Sequence, residues 1–213
     1  MEQPDRPKKV ERTPLYTFAR LVMKAVFAVI YPLKAYNREQ LDRDAPFIIV
    51  ANHSSMLDPL AIAVHCRRYE IRFMGKKELT KNPVLAWIVR RLHMFTVDRH
   101  TTDIKAMRAA VDTLRKGHVL GIFPEGTRRP PEALMDSVES GVSLIALRAN
   151  VPLIPVYIDG RISAFRRNRL VVGEPIVFDD ILAQGVNRAS CDALTARIAH
   201  VIRNLRDETR DKN

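Results

Sequence analysis

The chain has 213 residues, 46% of them hydrophobic, which suits one globular domain with a substantial core and a small appendage. Thirty-five Lys and Arg against 24 Asp and Glu give a formal charge of +11, so an anionic partner or substrate is expected: nucleic acid, phospholipid headgroup or phosphorylated metabolite. Cys66 and Cys191 form no Cys-x-x-Cys pair and fit no export pattern, which argues for a reduced compartment and against a disulfide.

Met1 to Thr13 is polar and lacks the apolar core of a secretory signal, so the expected location is the cytoplasmic side. Leu15 to Leu33 is strongly apolar, but Arg20 and Lys24 interrupt it. Its longest clean run, Ala25 to Leu33, falls well short of the roughly 20 residues a spanning helix needs. Thr17, Arg20 and Lys24 recur at three and four residues, one polar stripe on an otherwise apolar helix. Two arrangements fit: an interfacial helix lying on a membrane, or a helix packed on the domain with its stripe in solvent. A basic surface gains about 1 kcal/mol per Lys or Arg near anionic lipid, which favours the membrane. The expected division is residues 1–40 as polar lead and amphipathic interfacial helix, and 41–213 as the main domain.

From Pro46 onward short apolar runs alternate with helical patterns. Strands are expected at Phe47 to Ala51, Ile71 to Met74, Met94 to Val97, Val119 to Phe123, Leu153 to Ile158 and Leu170 to Val172. The pattern predicts an α/β fold with a largely parallel sheet flanked by helices. Helix signals agree: Asn82 before Pro83, Thr101 or Thr102 ahead of a face of Ile104, Met107, Val111 and Leu114, and Gly117 as a stop. Ser190 is expected to cap a last helix with Leu194, Ile198, Val201 and Leu205 on one stripe, followed by a fraying charged tail. Residues 65–100 are rich in Lys and Arg, either a local positive field or the solvated faces of two helices.

Four segments could carry chemistry. The first, Asn52 to Pro59, follows an apolar strand, where α/β proteins build sites. Five residues separate His53 from Asp58, about 140° apart on an ideal helix, so the two meet only across a turn. A carboxylate on one imidazole nitrogen would leave the other to take a proton from a hydroxyl. Equally, Asp58 before Pro59 is a good helix cap, and Ser55 with Asp58 fits a capping box. The second, Phe123 to Arg128, follows another apolar strand: Gly126 permits close backbone approach, Glu125 can accept from a hydroxyl and Arg128 can grip a phosphate. A turn with solvated charges is the alternative. In the third, Phe95 to Arg99, Arg99 is either a second phosphate ligand or a surface partner of Asp98. The fourth, Val151 to Tyr157, is a proline-bracketed strand that suits a sheet and could line an acyl groove.

In order and spacing, Asn-His-x4-Asp at Asn52 to Asp58, Phe-x-x-Asp-Arg at Phe95 to Arg99, Phe-Pro-Glu-Gly-Thr-Arg at Phe123 to Arg128 and the proline strand at Val151 to Pro155 resemble the 1-acylglycerol-3-phosphate acyltransferase family. The resemblance covers Leu33 to Ile158, and Gly75 to Leu79 looks like the family's Lys-x-Glu-Leu segment. It implies His53 and Asp58 as the catalytic pair, and Arg99, Glu125, Gly126, Arg128 and Lys76 as holders of the glycerol phosphate. Val151, Pro152 and Pro155 are candidates for the acyl groove. It implies a lysophosphatidate acceptor, an acyl-CoA or acyl carrier protein thioester as co-substrate, no bound cofactor, and anionic membrane lipids as partners on the cytoplasmic face of the cell membrane. The sequence departs from the family's habit at His93, Thr96 and Glu139, where relatives often carry Gly, Pro and a basic residue.

No Gly-x-Ser-x-Gly elbow and no cysteine nucleophile motif is present, so a direct transfer without an acyl-enzyme is expected. The six histidines and two cysteines show no metal-ligand spacing, and no metal is expected. Two competing classes are a nucleic-acid module, suggested by a pI near 10.0 but lacking any helix-turn-helix, zinc-finger or RRM signature, and a noncatalytic lipid binder.

Overall fold

The computed structural model describes residues 13–76, 95–97 and 104–211, with backbone alone at residues 76, 95–97 and 211. Seven strands, β1 (Leu33–Tyr36), β2 (Phe47–Ala51), β3 (Ile71–Lys76), β4 (Phe95–Val97), β5 (Val119–Ile122), β6 (Leu153–Ile158) and β7 (Asn168–Val172), form one sheet in the order β1-β7-β6-β2-β5-β3-β4. Every neighbouring pair is parallel except β6 with β7. The expected α/β architecture is what the chain adopts.

Helices cover both faces. The described ones are α1 (Pro14–Val29), α2 (Asp58–His65), α3 (Ile104–Arg115), α4 (Gly141–Ala149), α5 (Asp179–Leu182) and α6 (Arg188–Asp211). β2 shows why its sequence is unbroken Phe-Ile-Ile-Val-Ala: Phe47, Ile49 and Ala51 pack with Phe27 of α1 and Ala61 and Ile62 of α2. Ile48 and Val50 enter the opposite core with α3, α4 and α6. A central strand buried on both faces has no solvent side on which to place a polar residue.

α1 is a helix capped by Thr13, whose hydroxyl accepts from Tyr16 N at 3.3 Å. Tyr16 and Phe27 are buried, and Arg20 donates to Ala63 O (3.3 Å) and Val64 O (2.8 Å), the last carbonyls of α2. The polar stripe is therefore split, because Arg20 satisfies a helix C-terminus while Thr17 and Lys24 stay exposed. The outward face of α1 is apolar, with Phe18 and Leu21 each 65% exposed and Val29 71%. None of the described helices is long and apolar enough to cross a membrane.

Other expectations shift in detail. β1 lies inside the 1–40 stretch, and its register with β7, Leu33 to Asn168, draws that stretch into the sheet. On α3 the inward face is Ala106, Ala110, Val111 and Leu114, with Ile104 exposed, because small alanines let the helix pack closely. Gly117 ends that helix at φ 81°. The last helix is capped by Asn187, whose Oδ1 accepts from Ser190 N at 2.9 Å, so Ser190 is inside it, and the charged tail stays helical to Asp211. Arg68, within the basic stretch, pairs with Asp44 at 2.8 Å. Residues 1–12, Asn82 with Pro83, His93, Arg99 and Thr101 with Thr102 lie outside the described residues.

Candidate active site

Three adjacent parallel strands, β6, β2 and β5, end together at the carboxyl edge of the sheet, with Val50 opposite Ile122 and Ala51 opposite Val156. Each end is followed by a polar segment, and hydrogen bonds tie the three together. Asn52, 5% exposed, donates from Nδ2 to Ile158 O (3.0 Å) and accepts from Ile158 N at Oδ1 (2.8 Å). The Ser54 hydroxyl donates to Gly160 O at 2.8 Å. On the other side His53 N donates to Glu125 Oε2 (2.7 Å), and Arg129 N donates to His53 O (2.7 Å). A buried backbone demands partners for every polar group, and here those partners fix the loop that carries His53.

The turn before α2 brings His53 Nδ1 to 2.9 Å from Asp58 Oδ2. Asp58 is fully buried, and the same oxygen accepts from Ser54 N and Ser55 N at 2.7 Å each. The bond to Ser55 N is one half of the expected capping box; the Ser55 hydroxyl instead accepts from Leu57 N at 3.2 Å. Asp58 is thus the first residue of α2 and not its cap, a place taken by Leu57 without a side-chain hydrogen bond; its carboxylate closes the preceding turn and binds the imidazole. With Nδ1–H donating to Asp58, Nε2 carries the lone pair, and among the described residues it has no hydrogen-bond partner. The ring stacks on Phe123 at 4.3 Å between centroids, and Phe123 in turn stacks on Phe73.

Glu125, 3% exposed, spends both oxygens on backbone: Oε2 on His53 N and Oε1 on Met135 N at 3.0 Å. Burial pushes its carboxyl above the ordinary range, against the pull of those two amides. Gly126 sits at φ 67°, a left-handed conformation that calls for glycine; a Cβ there would meet only the carboxylate of the exposed Glu139, which can move aside.

A cavity beside His53 is lined by Asn52, Ser54, Glu125, Arg129, Tyr157 and Gly160 among others. Arg128, the basic residue singled out in the sequence, is exposed and does not border it. Arg129 does, and among the described residues its buried Nε has no hydrogen-bond partner. Nothing in two consecutive arginines tells which one turns inward. Tyr157 donates its hydroxyl to Asp159 Oδ1 at 3.2 Å, and burial together with that carboxylate holds its phenol well above the usual range.

Lys76 ends β3 at the same edge of the sheet, placed by backbone alone; Arg99 is outside the described residues. Val151 and Pro152 stand at the amino end of β6, roughly 20 Å along the strand from the cavity. Val151 fills the core, Pro152 O accepts from Ile48 N, and Pro155 O accepts from Gly173 N, so none of the three borders the cavity. Among the described residues no group of His, Cys, Asp and Glu could hold a metal ion.

A strand-end His–Asp pair beside a cavity lined by Arg129 and Glu125 is an arrangement able to take a proton from a hydroxyl on an α/β scaffold. A sequence profile of the Acyltransferase family matches residues 32–159, more than half of the chain, which therefore belongs to the acyltransferase family. It is similar to the 1-acyl-sn-glycerol-3-phosphate acyltransferase of Bacillus subtilis strain 168, 30% identical over 167 residues (76% of this chain, 82% of that one). The enzyme of the same name from Streptococcus pneumoniae is 28% identical over 203 residues, 92% of this chain and 74% of that one. The crystal structure of the 1-acyl-sn-glycerophosphate acyltransferase from Thermotoga maritima superposes with a TM-score of 0.66 at 25% identity, covering 92% of this chain and 78% of that one.

Proposed function

We propose that the chain transfers a fatty acyl group from a thioester, acyl-CoA or acyl carrier protein, to the free hydroxyl of 1-acylglycerol-3-phosphate, making phosphatidate for phospholipid synthesis. The observation that carries this is the 2.9 Å His53–Asp58 pair, which borders the same cavity as Arg129, whose buried Nε has no hydrogen-bond partner among the described residues. Nε2 takes the proton as the acceptor oxygen attacks the thioester carbonyl, and Asp58 stabilises the imidazolium. Collapse of the tetrahedral intermediate breaks the C–S bond, and the imidazolium returns its proton to the leaving thiolate. No acyl-enzyme forms in this scheme.

The acceptor phosphate is held by cations: Arg129, which borders the cavity, and its neighbour Arg128, with Lys76 and Arg99 as the further ligands that the family resemblance implies. Gly126 gives the backbone close approach, and Glu125 sets the position of His53 rather than gripping the substrate directly. The acceptor arrives from an anionic membrane on which α1 lies with Phe18, Leu21 and Val29 toward lipid, on its cytoplasmic face.

The test incubates purified protein with lysophosphatidate and several acyl thioesters and looks for phosphatidate by mass. His53→Ala is expected to abolish it with the circular dichroism spectrum retained. Full turnover by that variant would remove His53 as the base, and a trapped covalent acyl-protein would remove the direct transfer.

A further inference from the structure

The loop from Gly160 to Arg167, which connects β6 to β7, exposes Phe165 by 80% and holds it at φ 57°. A left-handed backbone at a bulky aromatic costs of order 1–3 kcal/mol, and an exposed ring recovers none of that within the chain. Yet the loop is firmly held. Ile162 is buried at 5% beneath it. Asn168, also 5% exposed, accepts from Ser163 N (2.9 Å) and donates to the carbonyls of Ser163 and Arg166 (3.0 Å each) and Pro32 (3.2 Å). Phe165 N itself donates to Ile30 O at 2.6 Å, directly after the carboxyl end of α1. The ring is therefore presented, not loose.

Its surroundings state what it is presented to. Gly160 to Arg169 contains Arg161, Arg166, Arg167 and Arg169 and no acidic residue, and the first three are exposed. Ile30 joins Phe165 to the apolar outer face of α1, where Val29 is 71% and Phe18 65% exposed. A rigid aromatic among arginines, continuous with an apolar helix face, matches a surface that is anionic outside and apolar a few ångströms in. We propose that this loop is a second membrane contact, with Phe165 entering the interface of an anionic bilayer and Arg161, Arg166 and Arg167 meeting its phosphates. The inference deepens the proposed function at an anionic membrane surface and rests on it. Gly160 O receives the Ser54 hydroxyl, so the loop is tied to the turn that carries His53.

The experiment uses the full chain and sedimentation with phosphatidylcholine vesicles, with and without phosphatidylglycerol. Phe165→Ser is expected to weaken binding to the anionic vesicles about tenfold, while acyl transfer to monomeric, short-chain lysophosphatidate stays at the wild-type level. Phe165→Cys, labelled with an environment-sensitive dye, is expected to shift to the blue on anionic vesicles; Cys66 and Cys191 are buried and stay unlabelled. Wild-type binding by Phe165→Ser together with an unshifted dye overturns the proposal. Phe18→Ser separates the two contacts: if it binds like wild type while Phe165→Ser does not, the α1 reading fails and the loop stands. Protection of Phe165 by single-stranded nucleic acid and not by vesicles would overturn the lipid assignment.

Discussion

Replacing Asp58 by Asn isolates the charge of the catalytic pair from its geometry. Oδ2 accepts from three donors, His53 Nδ1 and the amides of Ser54 and Ser55, while the buried Oδ1 has no partner among the described residues. An asparagine can present its carbonyl to those three donors and place its NH2 where Oδ1 stood. The loop should keep its shape, at about 1–3 kcal/mol for the newly buried, unpaired amide hydrogens. What is lost is the counter-charge to the imidazolium formed during transfer. At 2.9 Å and an effective dielectric near 20, that attraction is worth at most about 6 kcal/mol. Allowing for partial charge development and for water entering the cavity, about 4 kcal/mol is expected at the transition state, a fall in kcat of roughly a thousandfold. KM should change little, since Asp58 touches no substrate. The assay is steady-state acyl transfer with a thiol-release readout, beside a melting curve to confirm folding. If the folded variant kept kcat within about tenfold of wild type, the pair would not be acting as a base and its charged partner.

Glu125→Gln leaves one acceptor for two backbone amides, so His53 N or Met135 N loses its partner and stability falls by about 1–3 kcal/mol, with kcat reduced more than KM is raised. Because burial holds the Glu125 carboxyl above its ordinary 4.5, its contribution to folding is full below that pH and is lost as pH rises through the folded value. Urea unfolding of both proteins at pH 4 and pH 7 should therefore show wild type losing more stability over that interval than the variant. Arg129→Gln is expected to raise KM for lysophosphatidate about tenfold to a hundredfold and to leave a phosphate-free monoacylglycerol unaffected, with a smaller effect from Arg128→Gln; the reverse order in initial-rate measurements would place the phosphate on the exposed arginine.

What the sequence disclosed follows from where burial leaves no choice. β2, β5 and β6 are covered on both faces, so they appear as uninterrupted apolar runs, and the first polar residues after the β2 and β5 runs mark the edge where the site forms. β1 was not legible: Leu-Lys-Ala-Tyr is four residues long and follows an apolar helix without a glycine or asparagine to announce the change. The antiparallel direction of β7 is likewise absent from its composition, since direction is fixed by a short connection that carries the chain back beside β6. Asn187 and Ser190 each offer a side-chain oxygen three residues apart, and only the backbone tells which is the cap. The family profile's span, 32–159, nearly coincides with the stretch on which the motif resemblance rests. At the site, residue types were readable but directions were not: Glu125 faces backbone amides, and the cavity's arginine is Arg129.

The site is better understood as a junction of three loops than as four motifs. Asn52 and Ser54 bind the β6 side, the backbone of His53 binds the β5 side on both its amide and its carbonyl, and Asp58 closes the turn from within. His53 is thus held through its own main chain, which explains why the residues around it are amide, hydroxyl and carboxylate side chains aimed at backbone and why so few remain to touch a substrate. In its proposed role as base, His53 has its geometry set before anything binds, so binding energy need not be spent on arranging it. The groups left free, Arg129 toward the cavity and Met56, 64% exposed on the catalytic turn, are those that would meet a phosphate and an acyl chain. On the proposed mechanism selectivity falls to these groups, and a substitution there should change which lipid is accepted before it changes whether the proton is taken.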